Sequence, residues 1–196
     1  MQHKCKVTVI DKKVYPELQA RYCANPNSGP CPCYEVGDEY IFARYRDEDD
    51  FWHLGIDTIQ RDESADGIAG TEKLPHCSEA WDAISRYIYT ALQGGAIMRN
   101  WMNDNRIMIA CCSDGTRPVI FKIERLDYKA VYIDGIVGDH CLKKISSALK
   151  ALSEVKDVIF RSELGFAEVY LERDLADEIL RAAIEGCGEY TVRKID

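Results

Sequence analysis

Arg106-Ile-Met-Ile-Ala-Cys-Cys-Ser-Asp-Gly-Thr-Arg-Pro-Val-Ile-Phe-Lys-Ile-Glu-Arg125 is the stretch whose reading decides the fold. Two β-rich runs, 107–112 and 119–126, flank Ser113-Asp114-Gly115-Thr116, which is a turn signal between strands. In a strand, Val119, Phe121 and Ile123 point one way, and Ile120, Lys122 and Glu124 the other. The adjacent thiols Cys111 and Cys112 must then face opposite sides of the sheet, one inward and one toward a surface or cleft. Sulfur chemistry is placed beside the tightest turn of the chain, with no reaction yet attached to it.

Outward from this hairpin, 196 residues fit one large or two small domains, and 46% hydrophobic content is that of a globular protein. No apolar run approaches the roughly 18 residues that span a bilayer. The N-terminus reads as a first strand and lacks the apolar core of a signal peptide, so a cytoplasmic location is expected. The formal charge of −8 argues against nucleic acid and against anionic membranes as partners, because phosphate binding needs a basic face. Nine cysteines is a high, odd number for a reduced compartment, and a disulfide framework is not expected. Metal binding, thiol redox chemistry and plain burial remain.

Residues 6–11 alternate as a strand, and 16–22 give about two helical turns. Residues 23–33, dense in Pro, Gly and Asn, must be loop, and a second strand is expected over 39–45. Residues 46–66 carry eight acidic residues against Arg46 and Arg61. The spacing lacks the alternating ligands and central glycine of an EF-hand, so a solvated insertion is the simpler reading than a hard-cation loop. The clearest helix of this half is 78–92, with Ser78 as expected N-cap and Ala80, Ile84, Tyr87, Ile88 and Ala91 as its sheet-facing stripe. Cys77, preceded by His76, stands at that helix's N-terminus, where the dipole favours a thiolate.

Gly29-Pro30-Cys31-Pro32, Cys77-Ser-Glu-Ala-Trp81-Asp82, Gly94-Gly95, Trp101-Met102 and Cys111-Cys112-Ser-Asp114-Gly115-Thr-Arg117-Pro118 make residues 3–126 resemble a family of short prokaryotic proteins. The family's pattern runs GPCP…CxxAWD…GG…WM…CCxDGxRPVxFKxER. It carries no established activity, so the resemblance implies a fold unit and singles out Cys31, Cys77, Cys111 and Cys112, but implies no reaction. The acidic segment is longer here than in typical members.

From Tyr128 the pattern changes to β-α-β-β-α-β: a strand at 130–133, a helix at 139–152, a hairpin of 158–161 and 167–171 around Leu164-Gly165, a helix at 175–184 and a last strand at 190–195. That is the ferredoxin-like order. The expected fold class is therefore α+β: a small mixed α+β domain over 1–127, then a ferredoxin-like domain over 128–196. The second part resembles the heavy-metal-associated domain of copper chaperones and metal-pumping ATPases, which carries Gly-Met-x-Cys-x-x-Cys between its first strand and helix. The matching positions here are Gly135-Ile136-Val137-Gly138-Asp139-His140-Cys141. Cys141 matches the second cysteine; Gly138 replaces the first, so the loop offers one thiolate and His140 where Cu(I) capture uses two thiolates.

Three functions follow from these residues. As an accessory protein for a soft ion, Cu(I) or Zn(II), the chain offers Cys31, Cys33, Cys77, Cys111, Cys112, Cys141 and His140 as ligands, although Cys31-Pro32-Cys33 lacks the spacing of zinc ribbons. As a thiol-dependent enzyme it would use Cys77 or Cys111. Cys111-x5-Arg117 has the spacing of cysteine-dependent phosphatases, but Ala110 stands where a histidine is expected and a strand follows where a phosphate-facing helix is required. As an assembly protein, with a protein partner or as a homodimer, it would bury most of its cysteines.

Overall fold

The computed structural model describes residues 1–43 and 77–196. The acidic segment 46–66, Trp52 and His76 lie outside the described residues. The chain is a mixed α+β protein with antiparallel strand pairing, and it divides into two compact units, residues 3–125 and residues 1–2 with 126–196.

In the first unit, β1 (Gln2–Lys12) pairs antiparallel with β2 (Glu39–Ala43) and lies beside β4 (Val119–Asp134), which pairs with β3 (Ile107–Cys111). The expected alternation holds: Val119, Phe121 and Ile123 are each at most 1% exposed, and Val7 and Val9 join them. α2 (Ser78–Leu92) lays Ala80, Ile84, Ile88 and Ala91 into the same core, while Tyr87 packs at its edge. The helix's N-cap is Cys77, whose carbonyl accepts the first intrahelical bond from Trp81 N–H at 2.9 Å. This corrects the expectation for Ser78. No side-chain bond holds a cap there, so the last extended backbone residue takes the position and Ser78 enters the helix.

β4 runs sixteen residues without a break, so the strand expected over 130–133 is the far end of the strand that begins the hairpin. Residues 120–124 pair with β3 and 127–132 with β6, and the ladder to β7 shifts register between Tyr132 and Ile133 without ending the strand.

In the second unit, the end of β4 pairs with β6 (Phe166–Leu171) on one side and β7 (Thr191–Ile195) on the other, and β5 (Val155–Arg161) pairs with β6. The strand order is β5-β6-β4-β7. Helices α3 (Asp139–Lys150) and α4 (Asp177–Glu185) bury Ile145, Leu149, Leu180 and Ile184 against Val131, Val158, Val169 and Val192. β5 and β6 are joined by a 3-10 turn, Ser162–Leu164, closed by Gly165 in the left-handed region at φ +70°. α3 ends at Lys150, short of the expected 152, and its N-cap is Gly138 in extended backbone, with Asp139 as its first helical residue.

Candidate thiol site

The loop after α1 (Pro16–Tyr22) is rich in residues that cannot pair in a sheet, and it needs an internal anchor. Gln19 supplies one. Its side chain is 2% exposed; Nε2 donates to the Gly29 carbonyl at 2.9 Å, and Oε1 accepts from Gly29 N–H at 3.1 Å. Gly29 sits at φ +71°, which a residue with a Cβ rarely adopts. From this pinned turn the chain passes through Pro30, Cys31, Pro32 and Cys33 to Tyr34, whose ring is 6% exposed and stands edge-on to Phe121 at 5.3 Å. Cys31 and Cys33 are thus held between a side-chain clamp and an aromatic anchor.

The hairpin turn is fixed in its own way. Asp114 Oδ1 accepts from Thr116 N–H and Thr116 Oγ1, both at 2.8 Å, and from Arg117 N–H at 3.3 Å; Oδ2 accepts from Arg117 Nε at 3.0 Å. Thr116 and Pro118 carbonyls accept from Tyr15 and Lys13 N–H, both at 2.9 Å. Ser113 N–H and Oγ donate to the Glu79 carbonyl in the first turn of α2 at 3.4 and 3.3 Å. Turn, thiol loop and helix N-terminus are therefore brought to one edge of the first unit.

Four thiols gather at that edge. Cys31, Cys33, Cys77 and Cys112 are all half-buried and pack against the same core. Cys31 and Cys77 both lie within electrostatic reach of Cys33. Burial first, then Cys31, pushes the Cys33 thiol above its ordinary value, with Arg117 opposing. Tyr34 is raised by burial and then by Cys77, Cys33, Cys31 and Cys112, so it faces the whole group. Arg117, tied to Asp114, has Cys31 and Cys33 as its thiol neighbours. Cys112 Sγ accepts from Val119 N–H at 3.3 Å.

Cys111 takes no part. It is exposed on the other side of β3, its thiol donates to the Cys112 carbonyl at 3.1 Å, and burial with Cys112 as neighbour raises its pKa. The guanidinium expected to face it as in a phosphatase is turned to Asp114, and the residues after it form β4. Cys5 is fully buried, and Cys187 donates to the Ile184 carbonyl at 3.1 Å at the edge of the second core, so both are packing residues.

Cys141 sits in the first turn of α3. It is 3% exposed, and Sγ lies 3.3 Å from His140 Nε2. Its pKa is lowered, first by a hydrogen bond from the Tyr190 hydroxyl and then by the Val137 N–H; Tyr190 is in turn pushed up to about 12. The loop before it leans on the same segment: Gly135 has φ +90°, and a Cβ there would stand 2.6 Å from the Glu189 carbonyl oxygen.

Among the described residues, no three His, Cys, Asp or Glu side chains stand where they could hold one metal ion. The seven residues named from the sequence are divided into a four-thiol edge, the Cys141–His140 pair and the outlying Cys111. Gln19, Tyr34 and Tyr190 carry no motif that marks them; Asp114 does, since Asp-x-Thr is the signature of a side-chain-closed turn. No helix among the described residues is long and apolar enough to cross a membrane. No family model matches the chain, and no curated protein matches it. Among solved structures, the chain is similar to the solution structure of the putative copper-ion-binding protein from Bacillus anthracis str. Ames, with 26% identity over 35% of this chain and 96% of that chain and a TM-score of 0.32.

Proposed function

We propose that the protein is a cytoplasmic accessory protein that takes up a soft ion, with Cu(I) as the ion its thiol edge suits best. The observation that carries this reading is the gathering of four half-buried thiols, Cys31, Cys33, Cys77 and Cys112, against one edge of the first core, with Arg117 near Cys31 and Cys33. Cu(I) is satisfied by two thiolates in a near-linear arrangement, whereas structural Zn(II) asks for four ligands in a tetrahedron. Two thiolates on a monovalent ion leave one negative charge, beside which stand the Arg117 guanidinium and the Asp114 carboxylate it is tied to. Cys77 and Cys112 are then the thiols to which the ion would pass when a partner approaches.

We read residues 1–127 as the ion-binding domain and 128–196 as a ferredoxin-like domain of the heavy-metal-associated kind. The strand order β5-β6-β4-β7, with both helices on one face, supports the second part of that reading. With glycine at position 138, Cys141 has His140 and Tyr190 as its side-chain neighbours, so this domain serves as a docking module more readily than as a carrier.

The test is an anaerobic titration of the full chain with Cu(I) against a chromogenic Cu(I) chelator, with Zn(II) in parallel. One Cu(I) per chain is expected, lost in the Cys31→Ser, Cys33→Ser double variant and retained in Cys141→Ser. Stoichiometric uptake that survives the double variant, or no uptake at all, refutes the proposal.

A further inference from the structure

We propose that β3 is a pairing edge through which the first unit's sheet continues, antiparallel, into a second copy of the chain. The inference does not rest on metal uptake, and each is read by a different measurement.

The ladder fixes which backbone groups of β3 face outward. Cys112 N–H donates to the Val119 carbonyl at 3.1 Å, and Arg125 N–H to the Arg106 carbonyl at 2.8 Å. In an antiparallel pair the bonded positions alternate. Residues 106, 108, 110 and 112 therefore turn their backbone groups toward β4, while 107, 109 and 111 turn theirs away. Among the described strands β3 pairs with β4 alone, and β1 is a neighbour of β4 in the same sheet. The Ile107 N–H is taken up by the Asp104 carbonyl at 3.1 Å. Among the described residues, the N–H and C=O of Ile109 and of Cys111 have no hydrogen-bond partner. Both side chains are exposed, so the edge is open to solvent along this length.

Sheet edges are ordinarily defended by charge. Among the described strands the other edges carry it: Glu39 in β2, Lys156, Asp157 and Arg161 in β5, Arg193 and Lys194 in β7. β3, Ile107-Met-Ile-Ala-Cys111, carries none. This undefended edge is also self-complementary. With Ile109 opposite Cys111 of the second copy, the two-fold axis passes beside Ala110, and each Ile109 exchanges both of its backbone bonds with one Cys111. Every free group named above is then paired. With Ile109 opposite itself, the Cys111 carbonyl would face the Ile107 N–H, which Asp104 already holds. Charges that flank the pairing are balanced within each copy, Arg106 by Asp104, Arg117 by Asp114, and Lys122 by Glu124. A net charge of −8 therefore does not set like charges against each other at the strand. Five residues make a small interface, so the dimer is reversible and depends on concentration.

The full chain is followed by sedimentation velocity over about a hundredfold range of concentration, with reductant present to exclude disulfides. Hydrogen exchange of the Ile109 and Cys111 amides is read by NMR at both ends of the range. A monomer–dimer equilibrium is expected, with those two amides exchanging at least about tenfold more slowly where the dimer predominates. Ile109→Pro removes an outward donor and keeps every ladder bond to β4. Ile109→Glu puts a carboxylate on the edge, opposite Lys122 of its own sheet. Both variants should keep the native circular dichroism and weaken dimerisation at least about tenfold. A monomer at every concentration leaves the edge to a strand of some other protein and overturns the proposal. So does a dimer that survives both variants, or one in which the two amides exchange as they do in the monomer. Exchange in the wild type decides the matter even where a variant fails to fold.

Discussion

Gln19→Leu tests whether a single buried amide holds the thiol loop in place. The substitution keeps the side-chain volume close to native and removes both bonds to Gly29. Each such bond is worth roughly 0.5–1.5 kcal/mol net, so about 1–3 kcal/mol is at stake. Gly29 is only half-buried, so water can rejoin its N–H and carbonyl, and leucine regains some stability by burying apolar surface at a position 2% exposed. The expected loss is therefore about 2 kcal/mol. Urea unfolding under reducing conditions measures it. All three tryptophans lie within residues 3–125, so their fluorescence reports the unit that holds the loop. The midpoint should fall with the slope unchanged. Alkylation of Cys31 and Cys33 in the native state should also speed up several-fold as the loop loosens. A loss below about 0.5 kcal/mol together with native alkylation rates would refute the clamp.

Asp114→Asn should cost about 1–2 kcal/mol at neutral pH, because the charge-assisted bond to Arg117 and part of the turn's closure are lost. Burial alone would raise the Asp114 pKa, but the Thr116 and Arg117 bonds outweigh it and the folded value is depressed. Its contribution is thus full above the unfolded value of about 3.9 and disappears as pH falls through the folded one, so wild type and variant should converge in strong acid in a pH series of unfolding curves. Gly138→Cys should fold normally, since φ is 172° and a Cβ there meets only His140 Nδ1 at 3.7 Å. It should raise Cu(I) affinity of the second unit at least about tenfold by completing a thiolate pair with Cys141, a gain that adding Cys141→Ser abolishes without unfolding the chain; chelator competition reads both. Gly135→Ala should destabilise by about 2–3 kcal/mol, since alanine is strained at φ +90° and its Cβ meets the Glu189 carbonyl, and thermal unfolding followed by circular dichroism checks it.

The alternation of Val119, Phe121 and Ile123 determined by itself that a strand buries one face there, and that Cys111 and Cys112 part company across it. Period-two and period-3.6 patterns are local, so the α2 stripe and the order of elements after Tyr128 were legible, although β1 begins four residues before the expected 6 and β5 three before the expected 158. The ends of helices were not, because capping depends on which neighbour's backbone turns extended, and Cys77 and Gly138 took positions that Ser78 and Asp139 had the chemistry to fill. The continuity of β4 was hidden too, since nothing in a chain of strand-forming residues says where one partner strand gives way to the next. What only the tertiary structure decided is the company each thiol keeps. Cys31 and Cys33 meet Cys77, Cys112 and Arg117 through contacts between residues tens of positions apart, fixed by a buried glutamine and a tyrosine with no motif of their own. Cys141 is likewise defined by Tyr190, 49 residues away in sequence. Spacing records which residues are neighbours along the chain. A site is made of neighbours across it, and those are set by packing.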